Sequence, residues 1–438
     1  MTIKKIGLFW FNNDLRLHDN PALLSSNSIV DELYCVFLPL LNSQLVYPPT
    51  SQTNAGHVKQ QFLLESLTNL DKNLRSLAQQ LNYVDGNAEQ ELSRLIETLN
   101  VTDIFRSYAA GYYENSLWAA MKIRFPDKHF HCAHSHTLFD ISDLPFSLQA
   151  LPTSFTKFKN ALSDQKPTQP LARVGCLPPM PAGDFSPLPL LAPANEETKF
   201  VGGEESALAH MENYFSSTMP AHYKEVRNSI SGWDNSCKFS PWLANGSLSV
   251  RQVSAALFYY EKECVANDST YWIYFELLWR EYFQWYAQKH RSRLFLLSGI
   301  KGSAPLTSYY PERFKKWCMG STPYPIVNAC MNELRLTGYL SNRGRQIAAS
   351  CFVNELALDW RYGAAYFESQ LIDYDVAANW GNWQYLAGVG ADARDKRHFN
   401  LEKQTQTFDP ENHYIDQWRG DSVIEKLDSV DAADWPIN

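Results

Sequence analysis

The sequence has no CxxC pair, although it holds eight cysteines: Cys35, Cys132, Cys176, Cys237, Cys264, Cys318, Cys330 and Cys351. Scattered single cysteines argue against a disulfide framework and for a reduced, cytoplasmic protein. No GxGxxG follows the first strand-like segment, and no GxxxxGK precedes a Ser or Thr. A standard dinucleotide fingerprint and a P-loop are thereby excluded. No apolar run approaches the roughly 18 residues that a membrane helix needs. The apolar stretch in MTIKKIGLFWFNND is too short for a signal peptide. Excess positive charge is missing too, since the net charge is −8. That excludes a protein basic all over and leaves room only for a local basic groove.

What is present is aromatic. Phe, Trp and Tyr make up 14% of the chain, and most of the 13 tryptophans lie after residue 230. Each indole N–H wants a partner, so tryptophan is costly core filler, and its concentration in one half hints at a ring-binding pocket there. With 438 residues and 45% hydrophobic content, the chain is globular and too long for one ordinary core.

Residues 1–140 alternate strand and helix patterns. KKIGLFWF, ELYCVFLPL, LNYVDG, TDIFRSY and HFHCAHS read as strands. Asn20-Pro21 caps and opens a helix. Helical spacing runs from His57 to Leu81, and further helices follow at AEQELSRLIETLN and over 112–124. This predicts an α/β domain with a parallel, Rossmann-like sheet. Residues 141–203 hold about ten prolines and little periodicity, as in LPPMPAGDFSPLPLLAPAN, and read as a connector. From 204 to 438 the pattern is helical, notably in ESALAHMENYF, SVRQVSAALFYYEKE, YWIYFELLWREYFQWYAQKH and GRQIAASCFVNELALDW.

Five stretches carry candidate chemistry. HFHCAHSH (129–136) splits its histidines between two strand faces, so it reads as a strand and its exposed end rather than as a metal site. In WDNSCKFSPWLANG (233–246), Ser240-Pro241 caps a helix that Gly246 ends. Ser236, Cys237, Lys238 and Phe239 lead into that start, which is either ordinary capping or a phosphate site. Glu276, Trp279, Arg280 and Phe283 share one helix face, either to read a base or as an ion pair beside a core Trp. In SNRGRQ (341–346), Ser341 caps a helix whose positive end carries Asn342, Arg343 and Arg345, so an anionic partner is expected, with Asp373 or Asp375 of LIDYD available. AANWGNWQYLAG (377–388) sets Asn379 beside Trp380 and Trp383 with no charge.

The chain resembles the photolyase/cryptochrome flavoproteins, and most closely the DASH cryptochromes. YKEVRN, SCKFSPWLANGSLS, STYWIYFELLWREYF, TGYLSNRGRQ and DYDVAANWGNWQY carry the match, which runs from WFNNDLRLHDNPAL to TFDPENHYIDQW. The resemblance implies an all-α domain that buries FAD. Tyr223, Ser236, Cys237, Lys238, Phe239 and Ser240 look like its phosphate and ribityl contacts, with Cys237 departing from the usual Thr or Ser. Arg280, Asn342, Arg345, Asp373, Asp375 and Asn379 look like the rest of the flavin shell, with Asn379 beside flavin N5. Glu276, Trp279, Asn342 and Arg343 resemble contacts to a flipped pyrimidine dimer, and Tyr339 stands where a second lesion-stacking Trp is expected. Asn342, in place of the (6-4) subclass's histidines, makes that subclass unlike this chain.

The implied activity is light-driven repair of cyclobutane pyrimidine dimers, mainly in single-stranded DNA, by a monomer. A blue-light photoreceptor with the same flavin is the alternative. Trp383 and Trp360 match the inner and middle members of an electron-transfer chain. The outer one aligns near Thr307, which leaves Tyr309, Tyr310 or Trp317 as substitutes. Trp380 gets no redox role from the match and reads as packing. Glu114 matches a carboxylate that holds the pterin of 5,10-methenyltetrahydrofolate, and an ordinary exposed helix glutamate is the other reading.

Overall fold

The computed structural model describes residues 4–39, 56–183, 185–190, 198–391 and 397–427. Strands β1 (Ile6–Phe11), β2 (Glu32–Phe37), β3 (Leu81–Tyr83), β4 (Asp103–Ser107) and β5 (His129–Ala133) form one parallel sheet in the order β3-β2-β1-β4-β5. Alternate residues of β1 explain why both faces are covered. Phe9 and Phe11 pack into one apolar layer with Leu33, Cys35 and Phe105, while Leu8 and Trp10 pack into the other with Tyr34, Val36 and Ile104. Asn20 accepts a hydrogen bond from the Leu23 N–H and opens the helix Pro21–Ile29, as the Asn-Pro pair predicts.

The long helix His57–Arg75 ends earlier than its leucine spacing suggests. Ala78 takes a left-handed φ of 57°, and Leu81, the last residue of that pattern, begins β3 instead. A second pattern also breaks early. The helix Asn342–Asn354 stops where the apolar period continues, Ala357 turns at φ 52°, and Trp360 starts a new helix that ends at Gln370.

The connector carries one α-helix, Phe155–Ala161, and two short 3-10 turns, Ile141–Asp143 and Leu148–Ala150, among its described residues. The segment that leads into it is pinned to the helical half by Glu281 on the helix Asp268–His290. This fully buried carboxylate accepts from the Leu138 N–H (2.7 Å), the Phe139 N–H (3.4 Å) and the Trp285 indole (2.7 Å). Burial outweighs those three donors and pushes its pKa up to about 7.

The loop after β1, NNDLRLHDN, locks the sheet onto the helices. Arg16 is 1% exposed and donates to the carbonyls of His18, Asp19, Ser135 and Gly246. Glu204 accepts from the Leu17 and His18 N–H groups and from the His18 ring at 2.9 Å. Arg251 reaches back to the Thr137 carbonyl and to Asp140 at 2.8 Å. Buried charges survive only when paired and hydrogen-bonded, and these are.

Candidate flavin and nucleic-acid site

Three helices, Asn342–Asn354, Trp360–Gln370 and Val376–Leu386, surround a cavity of about 280 Å3. Their starts are fixed by caps. Ser341 accepts from the Gly344 N–H, as its sequence context predicts, and Asp375 accepts from the Ala378 N–H. One wall is apolar, with Phe367, Trp383 and Leu340, and the other is polar, with Ser240, Arg345 and Asp373. Of the expected flavin shell, Asn342, Asp375 and Asn379 also line this space.

The polar wall is a network. Arg345 and the Ser240 hydroxyl both donate to Asp373 Oδ2, each at 2.7 Å. Burial disfavours the Arg345 charge, but Asp373 together with Tyr339 and Glu333 more than offsets it, and its pKa is raised. Asp373 Oδ1 is buried with no partner among the described residues. An orphaned acceptor of this kind calls for a ligand hydroxyl or N–H. Asn379 donates to the Ala364 carbonyl at 3.0 Å, which fixes its amide at the cavity wall. A flat apolar wall facing hydrogen-bonding groups fits a flavin ring, whose edge is polar and whose faces are not.

Asp375 belongs to a second set. Gln284 donates to it at 2.6 Å and Arg280 lies 3.7 Å away. Arg280 also donates to the Leu243 and His136 carbonyls, so it braces the cavity from behind. Gln284, one turn beyond Arg280, is a partner that motif reading missed, because a lone Gln in an aromatic-rich helix carries no spacing signal.

The run 236–240 is divided by the structure. Ser240 is the first residue of the helix Ser240–Asn245 rather than its cap, and its hydroxyl turns to Asp373. Lys238, at a left-handed φ of 54°, holds its ammonium 4.9 Å over the Tyr339 ring, and burial lowers its pKa. Ser236 lies beside the same tyrosine. Burial keeps the Cys237 thiol neutral, with its pKa pushed up to about 11. Phe239 is not at the cavity. It is 2% exposed and packs on Tyr214, Phe215 and His210. Tyr223 is likewise buried, on the short helix Tyr223–Val226.

At the rim, Glu276 pairs with Arg227, so the expected i,i+4 pair with Arg280 does not form. Burial raises the Glu276 pKa and Arg227 opposes the rise. Arg227 itself lies over Trp272 at 4.1 Å. Trp279 is partly exposed, and Tyr385 (6.1 Å, 76°) and Tyr282 (6.2 Å, 79°) meet it edge-on. Tyr339 does not face Trp279. It packs against Phe200 at 4.9 Å, under Lys238 and Arg345. Arg343 stacks on Phe408 at 4.3 Å, outside the cavity lining, and its Nε is buried without a partner.

Trp383 is 2% exposed at the cavity wall, with Trp317, Phe352 and Phe367 as its ring neighbours. Trp360 is fully buried and meets Trp380 edge-on at 5.8 Å. Trp380, expected as plain packing, also donates its indole N–H to Glu368 at 3.0 Å. Trp317 is fully buried, which removes it as a surface member of any chain. Tyr309 stacks on Tyr362 at 4.3 Å, and both are partly exposed.

Glu114 is 6% exposed rather than a solvated helix residue. It lines a small cavity with Gly111, Asn13, Gln284 and Asp375, where the loops after β1 and β4 meet the helices. That is the topological switch point of the sheet, where ligands of open α/β folds bind. The enclosed space there is about 20 Å3, room for a water. The histidines of 129–136 disperse: His131 pairs with Asp103 at 2.8 Å and His134 stacks on Tyr108. No group of three or more potential metal ligands forms among the described residues. No described helix is long and apolar enough to cross a membrane.

Comparison with known proteins agrees with this geometry. Residues 7–178 match the DNA photolyase family, and residues 272–430 match the FAD binding domain of DNA photolyase. A protein named Cryptochrome DASH from Idiomarina loihiensis is 50% identical, covering 99% of this chain and 97% of its own. Another of that name from Vibrio parahaemolyticus is 49% identical over 99% and 98% of the two chains. The crystal structure of a Synechocystis sp. PCC6803 cryptochrome superposes with a TM-score of 0.87 at 37% identity, covering 95% of this chain and 89% of that one. The chain belongs to the photolyase/cryptochrome family, among the DASH cryptochromes.

Proposed function

We propose that the protein repairs cyclobutane pyrimidine dimers under blue light, chiefly in single-stranded DNA. The observation that carries this is the rim itself. The carboxylate Glu276 and the partly exposed indole Trp279 lie one turn apart beside a cavity suited to a flavin. Trp279 offers a face to an extruded pyrimidine, and Glu276, held by Arg227, accepts its ring N–H. Arg343, a partly exposed guanidinium in the first turn of the helix Asn342–Asn354, suits a backbone phosphate. Extruding a base costs a few kcal/mol of unstacking, least from a single strand.

FAD, when bound, supplies the light-driven one-electron chemistry. Arg345, Asp373 and Ser240 would hold it, Asn379 would meet its N5 edge, and the apolar wall would exclude water from its ring. Trp383 is the residue suited to feed electrons toward it, with Trp360 behind. With Trp317 buried, Tyr309, stacked on Tyr362, and Tyr310 are the partly exposed candidates left for the surface end. Repair needs FAD alone, and an absorption band beyond those of flavin would mark a second chromophore.

The second reading is a photoreceptor with the same flavin and little repair. The net charge of −8 and the phenol of Tyr385, where a second indole would stack better, favour it. Illuminating the purified protein with dimer-containing single-stranded oligonucleotide decides between them. Loss of dimers is expected. Their persistence with the flavin chemically reduced would overturn the repair reading.

A further inference from the structure

The connector reaches into the rim. Its helix Phe155–Ala161 lays Phe155 face to face on Trp279, with centroids 3.7 Å apart and planes 11° from parallel. Phe155 is 6% exposed and is itself clamped edge-on by Phe275 (5.0 Å) and Tyr282 (6.1 Å). Phe275, Trp279 and Tyr282 fall at i, i+4 and i+7, so one stripe of the helix Asp268–His290 receives the phenylalanine. Phe158, one turn on, packs against Tyr282 at 5.2 Å and anchors the connector helix.

Trp279 nevertheless stays partly exposed. One face is sealed at stacking distance, and the other ring neighbours of Trp279 are the more distant Phe283 (5.7 Å, planes 29° apart), Tyr282 and Tyr385. We propose that Phe155 is a positioning residue for the rim: it fixes the plane of Trp279 so that the other face is presented, already oriented, to an extruded pyrimidine. This rests on the repair reading above. An indole without that backing would sample several rotamers and would have to be ordered each time a base docked, which weakens binding. A parallel ring at 3.7 Å also resembles a base, so Phe155 as a removable plug is the competing account. Its burial and its two edge-on clamps favour the fixed platform.

The test compares flavin-loaded wild type, Phe155→Leu and Phe155→Tyr in the dark. The probes are a single-stranded oligonucleotide with one cyclobutane thymine dimer and the same strand undamaged. Phe155→Leu is expected to weaken the damaged probe about 3–10-fold, the size of one lost aromatic stack, and to leave the undamaged probe unchanged. Phe155→Tyr keeps the ring and is expected to restore wild-type binding. Flavin content and melting temperature report whether each variant is folded, and Phe155→Met replaces the leucine variant if that one does not fold. An unchanged preference for damage in the folded Leu or Met variant overturns the proposal, and tighter binding of the damaged strand overturns it in favour of the plug. A wild type with no preference for damage overturns the repair reading first, and this is visible before any variant is made.

Discussion

Asp373 gathers two donors on one oxygen and leaves the other oxygen empty, and so it defines the polar wall at the scale of single residues. Arg345→Met strands that carboxylate. Breaking a buried pair costs up to roughly 3–5 kcal/mol, so denaturant unfolding is expected to shift by that order and purified protein to carry less FAD. Trp383→Phe tests the electron path. It is expected to slow bleaching of the oxidised flavin band under blue light, while repair by chemically pre-reduced protein persists; equal bleaching rates would mean that another donor serves the flavin. The motifs already named Arg345, Asp373, Asn379 and Trp383, because charge and amide residues stand out against an apolar pattern. They placed Phe239 at a cavity it does not line, and overlooked Tyr385 and Arg227. An aromatic ring reads the same in sequence whether it lines a cavity or fills a core. Only packing shows that Tyr385, and not Tyr339, meets Trp279.

The elements were legible where a local device sets them and illegible where a backbone exception ends them. The caps at Asn20 and Ser341 stand in the sequence and form in the structure. The left-handed turns at Ala78 and Ala357 left no trace, since alanine favours helix and gives no warning of a stop. Gly246 is the opposite case, a glycine whose freedom is required. It sits at φ 74°, and a Cβ there would lie 1.7 Å from the Asn13 carbonyl oxygen. Gly246→Ala is expected to destabilise by more than the roughly 1–2 kcal/mol of the left-handed backbone alone, and a fall in melting temperature would register it. A melting temperature equal to wild type would mean that the loop after β1 is not held there.

The whole molecule depends on contacts that join distant parts of the chain through buried charge. Glu281, with its pKa near 7, gives one of them a pH signature. A carboxyl raised above its unfolded value near 4.5 stays protonated in the fold after the unfolded chain has lost its proton. Its contribution therefore falls as pH rises from about 4.5 to 7, by roughly 3 kcal/mol in total. Glu281→Gln is blind to pH, so the melting temperature of the variant minus that of wild type is expected to climb across this window. A constant difference would show that Glu281 is ionised throughout. Composition and pattern foretold the parallel sheet and the helical region after it at this scale. The joint between them was hidden, because NNDLRLHDN looks like an ordinary polar loop until its partners 230 residues away are known.

That separation bears on how the protein is made. Arg16 donates to the Gly246 carbonyl, so the first loop leaves the ribosome long before its acceptor exists. At about 5–20 residues per second, translation takes roughly 12–46 s to supply it. Throughout that interval the nascent sheet carries a guanidinium that lacks its Gly246 acceptor and an Asp19 carboxylate that lacks the Ser249 hydroxyl. Slowing translation past residue 246, or releasing chains short of it, should therefore expose the sheet domain to proteases, whereas the same interruption a few tens of residues later should not.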